Sequence, residues 1–248
     1  MTDFYDRLAP FQHLVFADWN ASIARQGAAL DAVIRARLGE GPRRVLDVAC
    51  GIGTQALGLA ALGHRVTASD LSPGAVARAR READARGLAI DLSVADMRAA
   101  HGHHGDGWDV LVCADNSLPH LLDDDEILAA LRQFHAALRP GGIALVSVRD
   151  YAAMERADAV QPYAAHEEDG VRTLVLQHRA WEGEHYALTF YIIEDHGADT
   201  ATTHVLRSRY YAIPTARLLE LMRAAGFATA ERLDGAFYQP LLVGTRAT

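Results

Sequence analysis

The 248-residue sequence contains only two cysteines, Cys50 and Cys113, and each lies within an apolar stretch. Two thiols in a chain of this length exclude a disulfide-held scaffold and favour reduced, buried side chains. No apolar run approaches the ~18 residues that a membrane-spanning helix needs. The polar start MTDFYDRLAP lacks the features of a secretory signal. We therefore expect a cytoplasmic protein without membrane contact.

Positive charge is also scarce, because 24 arginines and no lysine stand against 32 aspartates and glutamates. A nucleic-acid binder carries a basic surface, so the formal net charge of −8 argues against a nucleic-acid partner. Hydrophobic residues make up 50% of the chain, which is enough for a sizeable core. The length allows one large domain or one domain with an appendage.

Strand-like and helix-like segments alternate in the first 150 residues. Apolar residues three or four apart predict a helix over residues 11–38. Five short strands are then predicted, within RRVLDVACG, HRVTASD, LAIDLSVAD, WDVLVCAD and GGIALVSVRD. Helical segments separate most of them, so the pattern predicts an α/β fold with a mostly parallel sheet covered on both faces.

The pattern changes at about Tyr151. The segments RTLVLQHRAWE, HYALTFYIIED and TTHVLRSRYYAI predict an antiparallel sheet inserted after strand five, and a helix and two strands close the chain. The insertion could be a lid, a stabilising flap or an oligomer contact, so a homo-oligomer stays open. The predicted organisation is a helical cap at 1–40, a core at 41–150, the β insertion at 151–213 and core-completing elements at 214–248.

A glycine-rich loop, DVACGIG at residues 47–53, joins the first strand to a helix. Glycines let the backbone approach a ligand, and the helix N-terminus offers free N–H groups. The loop also fits the dinucleotide pattern GxGxxA, so by itself it does not distinguish between nucleoside cofactors.

Acidic residues at three strand ends help to distinguish between nucleoside cofactors. Asp47 could hold a ligand's amino group, or it could only accept hydrogen bonds from loop N–H groups. Asp70 could accept both hydroxyls of a ribose, or it could cap the next helix. Asp96 could read an adenine amino group while Met97 packs on the ring, or it could be an ordinary strand-end residue. Asp47 and Asp96 would be unexplained in a nicotinamide oxidoreductase.

The set VLDVACGIG, ASDLS, VADM and LRPGG, in this order between Val45 and Asp150, resembles the class I S-adenosylmethionine-dependent methyltransferases. The resemblance implies a Rossmann-like, seven-stranded sheet whose last strand is antiparallel. It implies S-adenosyl-L-methionine as cofactor and S-adenosyl-L-homocysteine as product. Gln55 replaces the third glycine of the usual loop. The cofactor-binding residues implied in this core are Asp47, Ala49, Gly51, Gly53, Asp70, Leu71, Asp96, Met97 and Asp115.

A closer resemblance is to glycine N-methyltransferase and related small-molecule N-methyltransferases. It rests on NSLPHL at 116–121, VRDY at 148–151, the inserted sheet, the pair Tyr210-Tyr211 and GAFY at 235–238. It implies that Tyr5, Arg25 and His120 lie at the methionine end of the cofactor. For His120 we favour this contact or a structural role over proton abstraction. The residues implied to place the acceptor are Asn116, Arg149, Tyr210 and Tyr211.

The acceptor side can also be argued from position. Arg149 ends strand five, at the sheet edge where open α/β folds bind ligands, and could grip a carboxylate or pair with Asp150. Asn116 could accept an N–H bond from an amine, or it could be a turn residue. We predict a methyltransferase acting on the amine of a small molecule such as glycine or sarcosine. The alternative is O-methylation of a small metabolite, and a cofactor-binding regulator without turnover is disfavoured.

Two clusters with metal-like composition are not expected to bind a metal. HGHHG at 101–105 lies in a glycine-rich loop without partnering ligands. DDDE at 123–126 precedes a helix and suits its positive N-terminal end. We therefore predict no metal site.

Overall fold

The computed structural model describes residues 2–168, 170–197 and 199–248. Met1, Asp169 and Ala198 lie outside the described residues, so the predicted segments 1–40 and 151–213 are described without them. The helices are α1 (Thr2–Leu8), α2 (Trp19–Leu38), α3 (Thr54–Ala61), α4 (Pro73–Ala85), α5 (Ala100–His104), α6 (Asp124–Ala137) and α7 (Thr215–Ala224). No helix in these ranges is both long and apolar enough to cross a membrane.

Seven strands form the main sheet: β1 (Arg44–Asp47), β2 (Arg65–Asp70), β3 (Ile90–Val94), β4 (Trp108–Cys113), β5 (Leu138–Ser147), β10 (Thr229–Leu233) and β11 (Leu241–Thr245). Their order is β10-β11-β5-β4-β1-β2-β3. The first five strands run parallel, and β11 is antiparallel to both β5 and β10. One apolar cluster packs α6 and α7 on one face, and another packs α2, α3 and α4 on the other. The predicted Rossmann-like sheet is confirmed.

The inserted sheet has four antiparallel strands in the order β6-β7-β8-β9. They are β6 (Ala159–Glu168), β7 (Val171–Glu182), β8 (His185–Asp195) and β9 (Ala201–Tyr211). The last three were predicted, whereas β6 was not. It is a mostly exposed edge strand that contains Pro162, so it shows no alternation of apolar and polar residues. The division at residues 40, 150 and 213 stays a prediction.

The predicted helix over residues 11–38 is in fact broken. Residues 12–15 form a 3₁₀ turn, and α2 begins only at Trp19. Asp18 sets this start, because its side chain accepts a hydrogen bond from Ala21 N at 2.9 Å and caps the helix. The predicted loop at 101–105 also differs, since α5 covers most of it.

Helix α1 connects the main sheet's helical layer to the inserted sheet. Asp6 Oδ1 accepts hydrogen bonds from Ser72 Oγ at 2.6 Å and from Gly74 N at 2.8 Å, at the start of α4. On the other side, Arg7 Nη2 donates to Val205 O in β9 at 3.1 Å. This arrangement closes one side of the space between the two sheets.

Helices α2 and α3 approach each other so closely that only glycine fits between them. A Cβ at Gly58 would lie 2.5 Å from Ile23 O, and one at Gly27 would lie 2.7 Å from the backbone of Gly58. We expect Gly58→Ala to lower the free energy of unfolding by ~1–3 kcal/mol, because the helices must separate. Urea denaturation measures this change. Gly102→Ala in α5, where no atom lies within 4 Å of the new Cβ, is the control. Equal stability of the two variants would contradict the packing argument.

Candidate functional site

A cavity lies at the carboxyl ends of the parallel strands, between the main sheet and the inner face of the inserted sheet. This edge is where open α/β sheets bind ligands. The predicted site residues that line the cavity are Tyr5, Ala49, Gly51, Asp70, Leu71, Asp96, Met97, Asp115, His120, Arg149 and Tyr210.

The glycine loop forms the floor of the cavity. Gly51 and Gly53 have φ values of +52° and +99°, a region that side-chain-bearing residues rarely adopt. Gly53 stands directly before α3, whose free N–H groups therefore face the loop. A Cβ at Gly51 would lie 2.9 Å from Gln12 Nε2, so glycine also keeps the space beneath the 3₁₀ turn open.

Asp70 fixes the loop and does not cap a helix. Its Oδ2 accepts a hydrogen bond from Gly51 N and its Oδ1 accepts one from Ser72 N, each at 2.9 Å. The cap of α4 is Ser72, whose Oγ accepts from Ala75 N at 3.0 Å. A carboxylate has about four acceptor positions, so Asp70 keeps capacity for the hydroxyls of a ligand.

Asp47 lies beneath the loop and is 1% exposed. Its Oδ1 accepts from Ala49 N at 3.2 Å, whereas its Oδ2 has no hydrogen-bond partner in the described chain. Burial raises the pKa of this carboxyl to about 7. An orphaned buried carboxylate oxygen calls for a donor, and a ligand ammonium group would meet that need.

Asp96 and Met97 line the cavity where β3 ends. Arg98 donates from Nη2 to Asp96 Oδ2 at 2.6 Å and also pairs with Glu126. Hydrogen bonding from Arg98 holds the pKa of Asp96 below its usual value, so this carboxylate stays ionised. A charged acceptor beside a thioether suits a flat ring that carries an amino group.

His120 is buried where α1 meets the inserted sheet. Its Nε2 contacts the hydroxyl of Tyr5, its Nδ1 lies 3.3 Å from Ser208 Oγ, and its ring centroid lies 4.0 Å from that of Tyr210. Burial lowers the pKa of His120 to about 3. The imidazole is therefore neutral at physiological pH, and both of its nitrogens are engaged.

Arg149 lines the cavity without an acidic partner. Its Nη1 donates to Tyr186 Oη at 3.1 Å. The alternative pairing with Asp150 does not form, because Asp150 pairs with Arg232 at 2.7 Å. No carboxylate within the described ranges lies at ion-pair distance from Arg149. The guanidinium is thus available to an anionic ligand.

The predicted role of Asn116 needs correction. Its Oδ1 already accepts hydrogen bonds from Arg149 N at 3.0 Å and from Tyr151 Oη at 2.9 Å, so it is not free to receive an amine. Asn116 is 3% exposed and has a φ of +64°, beside Asp115 at +56°. These two left-handed residues turn the chain after β4, and Asn116 positions the end of β5.

Two predicted residues lie away from the cavity. Arg25 is exposed on α2, where its Nη2 donates to Ser22 Oγ at 3.0 Å. Tyr211 donates to Asp124 Oδ1 at 3.0 Å. Neighbouring residues in a strand face opposite sides, so Tyr210 alone of the tyrosine pair reaches the cavity. Three more predicted residues do not line the cavity, but each is next in sequence to a residue that does: Asp47, Gly53 and Asn116.

The cavity also contains residues that the sequence did not indicate. Tyr163, which is 41% exposed, lines it from β6, where it has no partner residue in β7 because the register shifts between Pro162 and Ala164. Gln12 lines it from the 3₁₀ turn. No group of three or more potential metal ligands occurs among the residues that the structure describes.

Comparison with known proteins supports the geometry. Residues 45–142 match the family model of a methyltransferase domain. A glycine/sarcosine N-methyltransferase of Parasynechococcus marenigrum is 36% identical over 151 residues, which are 60% of this chain and 49% of that protein. A ubiquinone biosynthesis O-methyltransferase of Methylocella silvestris is 40% identical over 100 residues, which are 40% of this chain and 37% of that protein. The chain thus matches about half or less of the length of these relatives.

Solved structures share the fold across nearly the whole chain. A sugar N-methyltransferase from Streptoalloteichus matches with a TM-score of 0.79 at 22% identity, covering 92% of this chain and 90% of that one. An amino pentose methyltransferase from Micromonospora echinaspora matches with a TM-score of 0.78 at 21% identity, covering 91% and 92%. Sheet order, glycine loop and family match agree that residues 45–142 form a methyltransferase domain of the class I type, which uses S-adenosylmethionine as its cofactor.

Proposed function

We propose that this protein methylates the amine of a small molecule that carries a carboxylate, such as glycine or sarcosine. The observation that carries the proposal is Arg149, a cation that lines the cavity and has no acidic partner in the described chain. A guanidinium binds a carboxylate through two parallel hydrogen bonds, which fixes orientation as well as position. The glycine/sarcosine N-methyltransferases among the relatives support the same acceptor class.

The residues beneath and beside the glycine loop fit S-adenosylmethionine. Asp47 has a free, buried oxygen for the ammonium group, and Asp70 has spare acceptor positions for the ribose hydroxyls. Asp96 and Met97 would hold the adenine. Tyr5 and His120, which contact each other in the cavity lining, would close the methionine end.

The chemistry asks mainly for placement. S-adenosylmethionine, held by these residues, would supply an electrophilic methyl group for the lone pair of a neutral amine, with S-adenosylhomocysteine as the leaving product. Arg149 orients the acceptor, and holding nucleophile and methyl in line supplies an effective molarity of ~10⁵ M or more. Leu188 and Phe190 of the inserted sheet form apolar cavity walls that exclude water. The amine proton leaves to water, and His120 is not needed as a base.

A panel of acceptors tests the function. We expect release of S-adenosylhomocysteine with glycine or sarcosine, and little with ethylamine and ethanolamine, which lack the carboxylate. If the best acceptors are amines without a carboxylate, the role of Arg149 is wrong. If hydroxyl compounds are methylated instead of amines, O-methylation replaces the proposal.

Cofactor binding should depend on pH through Asp47. Burial raises the pKa of the free Asp47 carboxyl to about 7, whereas an adjacent ammonium favours the ionised form and lowers it. Binding therefore releases a proton near neutral pH. Below pH 7 the affinity for S-adenosylhomocysteine should fall by up to about tenfold per pH unit. Calorimetry in buffers of different ionisation enthalpy measures the released proton.

Asp47→Asn is the control for this pH dependence. The amide cannot titrate, so the variant should bind more weakly and lose the proton release. An affinity of the unmodified protein that stays constant between pH 6 and pH 8 would contradict the role of Asp47.

A further inference from the structure

A second arginine lies on the cavity face of the inserted sheet. In the register of β7 and β8, Arg179 stands opposite Leu188, and Gln177 stands opposite Phe190. Directly opposed residues of an antiparallel pair point to the same face of the sheet. Leu188 and Phe190 both line the cavity, so Arg179 lies on the face that borders it.

Arg179 shares with Arg149 the lack of an acidic partner. Its side-chain partner is the neutral amide of Gln177, and no carboxylate in the described segments pairs with it. Arg172 on the same strand differs, because it is exposed and lies 3.7 Å from Glu167. Arg179 is half-buried, so its charge is only partly solvated.

The two guanidinium groups influence each other. Burial and then repulsion from Arg149 lower the pKa of Arg179. Tyr163 lines the same cavity as Arg149, with its ring edge against Phe190 at a centroid distance of 5.7 Å. Arg179 does not itself line the cavity but lies on the sheet face that borders it. The like charges of Arg149 and Arg179 repel, and a ligand with two negative groups between them would relieve this repulsion.

We infer that the acceptor is an amino acid with a second acidic group, which Arg179 binds while Arg149 holds the α-carboxylate. The inference rests on the proposed function and narrows its substrate class to acidic amino acids, with a carboxylate or phosphate as the second group. Glycine and sarcosine would then occupy only part of the site. Arg179 determines the preference for acidic acceptors, and Arg149 binds the α-carboxylate of every acceptor.

Pairs of acceptors with and without a second acidic group test the inference. L-aspartate and L-glutamate are compared with L-asparagine and L-glutamine, and O-phosphoserine is compared with serine. In the unmodified protein, kcat/KM should be about tenfold or more higher for at least one acidic member than for its neutral partner, as expected of a charge-assisted hydrogen bond. A preference confined to O-phosphoserine identifies phosphate as the second group, and a preference for aspartate or glutamate identifies a carboxylate.

Variants of two arginines on β7 test whether Arg179 causes the preference for acidic acceptors. Arg179→Gln should bring the acidic-to-neutral ratio close to one, Arg179→Lys should restore part of it, and Arg172→Gln should leave the ratio unchanged. Affinity for S-adenosylhomocysteine reports whether each variant is folded. Equal use of acidic and neutral acceptors, or a ratio that survives Arg179→Gln, overturns the inference while leaving the proposed function intact. Failure of every carboxylate-bearing amine overturns the proposed function itself.

Discussion

Arg149→Lys is expected to weaken acceptor binding by ~1–3 kcal/mol, which is a roughly five- to 150-fold loss in kcat/KM for amino-acid acceptors. Lysine keeps the charge but lacks the planar fork that binds both oxygens of a carboxylate. Arg149 also donates to Tyr186 Oη, and a shorter ammonium group cannot hold that contact and the acceptor in the same geometry. Steady-state kinetics with a coupled assay for S-adenosylhomocysteine measures the loss.

Cofactor affinity distinguishes a loss of acceptor binding from a loss of structure. Binding of S-adenosylhomocysteine should hardly change in Arg149→Lys, because the acceptor pocket lies at the other side of the methyl group. Arg232→Lys, which alters the neighbouring ion pair with Asp150 outside the cavity lining, is the matched control and should leave acceptor kinetics unchanged. If Arg149→Lys loses cofactor affinity or stability to the same extent, the residue is structural.

Asp70→Ala should lower the affinity for S-adenosylhomocysteine by about tenfold or more, since two hydrogen bonds are lost at ~0.5–1.5 kcal/mol each. The bonds to Gly51 N and Ser72 N disappear as well, so the glycine loop also loses its support. Calorimetry with S-adenosylhomocysteine measures the affinity.

Asp18→Ala distinguishes the loss of a ligand contact from the loss of a helix cap. It removes the cap of α2, away from the cavity lining, and should lower stability by ~1 kcal/mol, with little effect on cofactor affinity. If Asp70→Ala instead loses stability while its affinity for S-adenosylhomocysteine is unchanged, then Asp70 serves the loop and not the ligand.

The sequence predicts the central strands of the main sheet well because most of their residues are buried and apolar. In β4, five of the six residues Trp108–Cys113 are buried, which leaves a continuous apolar run. Strand β6 carries no such run, because it lies at a sheet edge and is held by pairing with β7. The break before α2 depends on the side chain of Asp18, a cap that the apolar spacing of residues 11–38 conceals.

The candidate site, like the fold, could be predicted only in part. Residues of the glycine loop and strand ends were predictable, since their place in the fold follows from their place in the chain. Asn116 was named from the sequence, but its predicted role was wrong, because its Oδ1 already accepts hydrogen bonds from Tyr151 Oη and Arg149 N. Tyr163 was missed because it lies at a register break in β6, an edge strand that the sequence did not indicate. Such details depend on contacts between segments far apart in sequence.

The first helix finds its partners only in segments that are made much later. Asp6 contacts Ser72, Tyr5 contacts His120, and Arg7 contacts Val205, which follows it by 198 residues. A helix of seven residues is not stable in water by itself. During synthesis on the ribosome, α1 therefore stays undocked until β9 has emerged and paired. Within this sequence, α1 is therefore synthesised before the strands of both sheets but completes its docking only after the inserted sheet has formed.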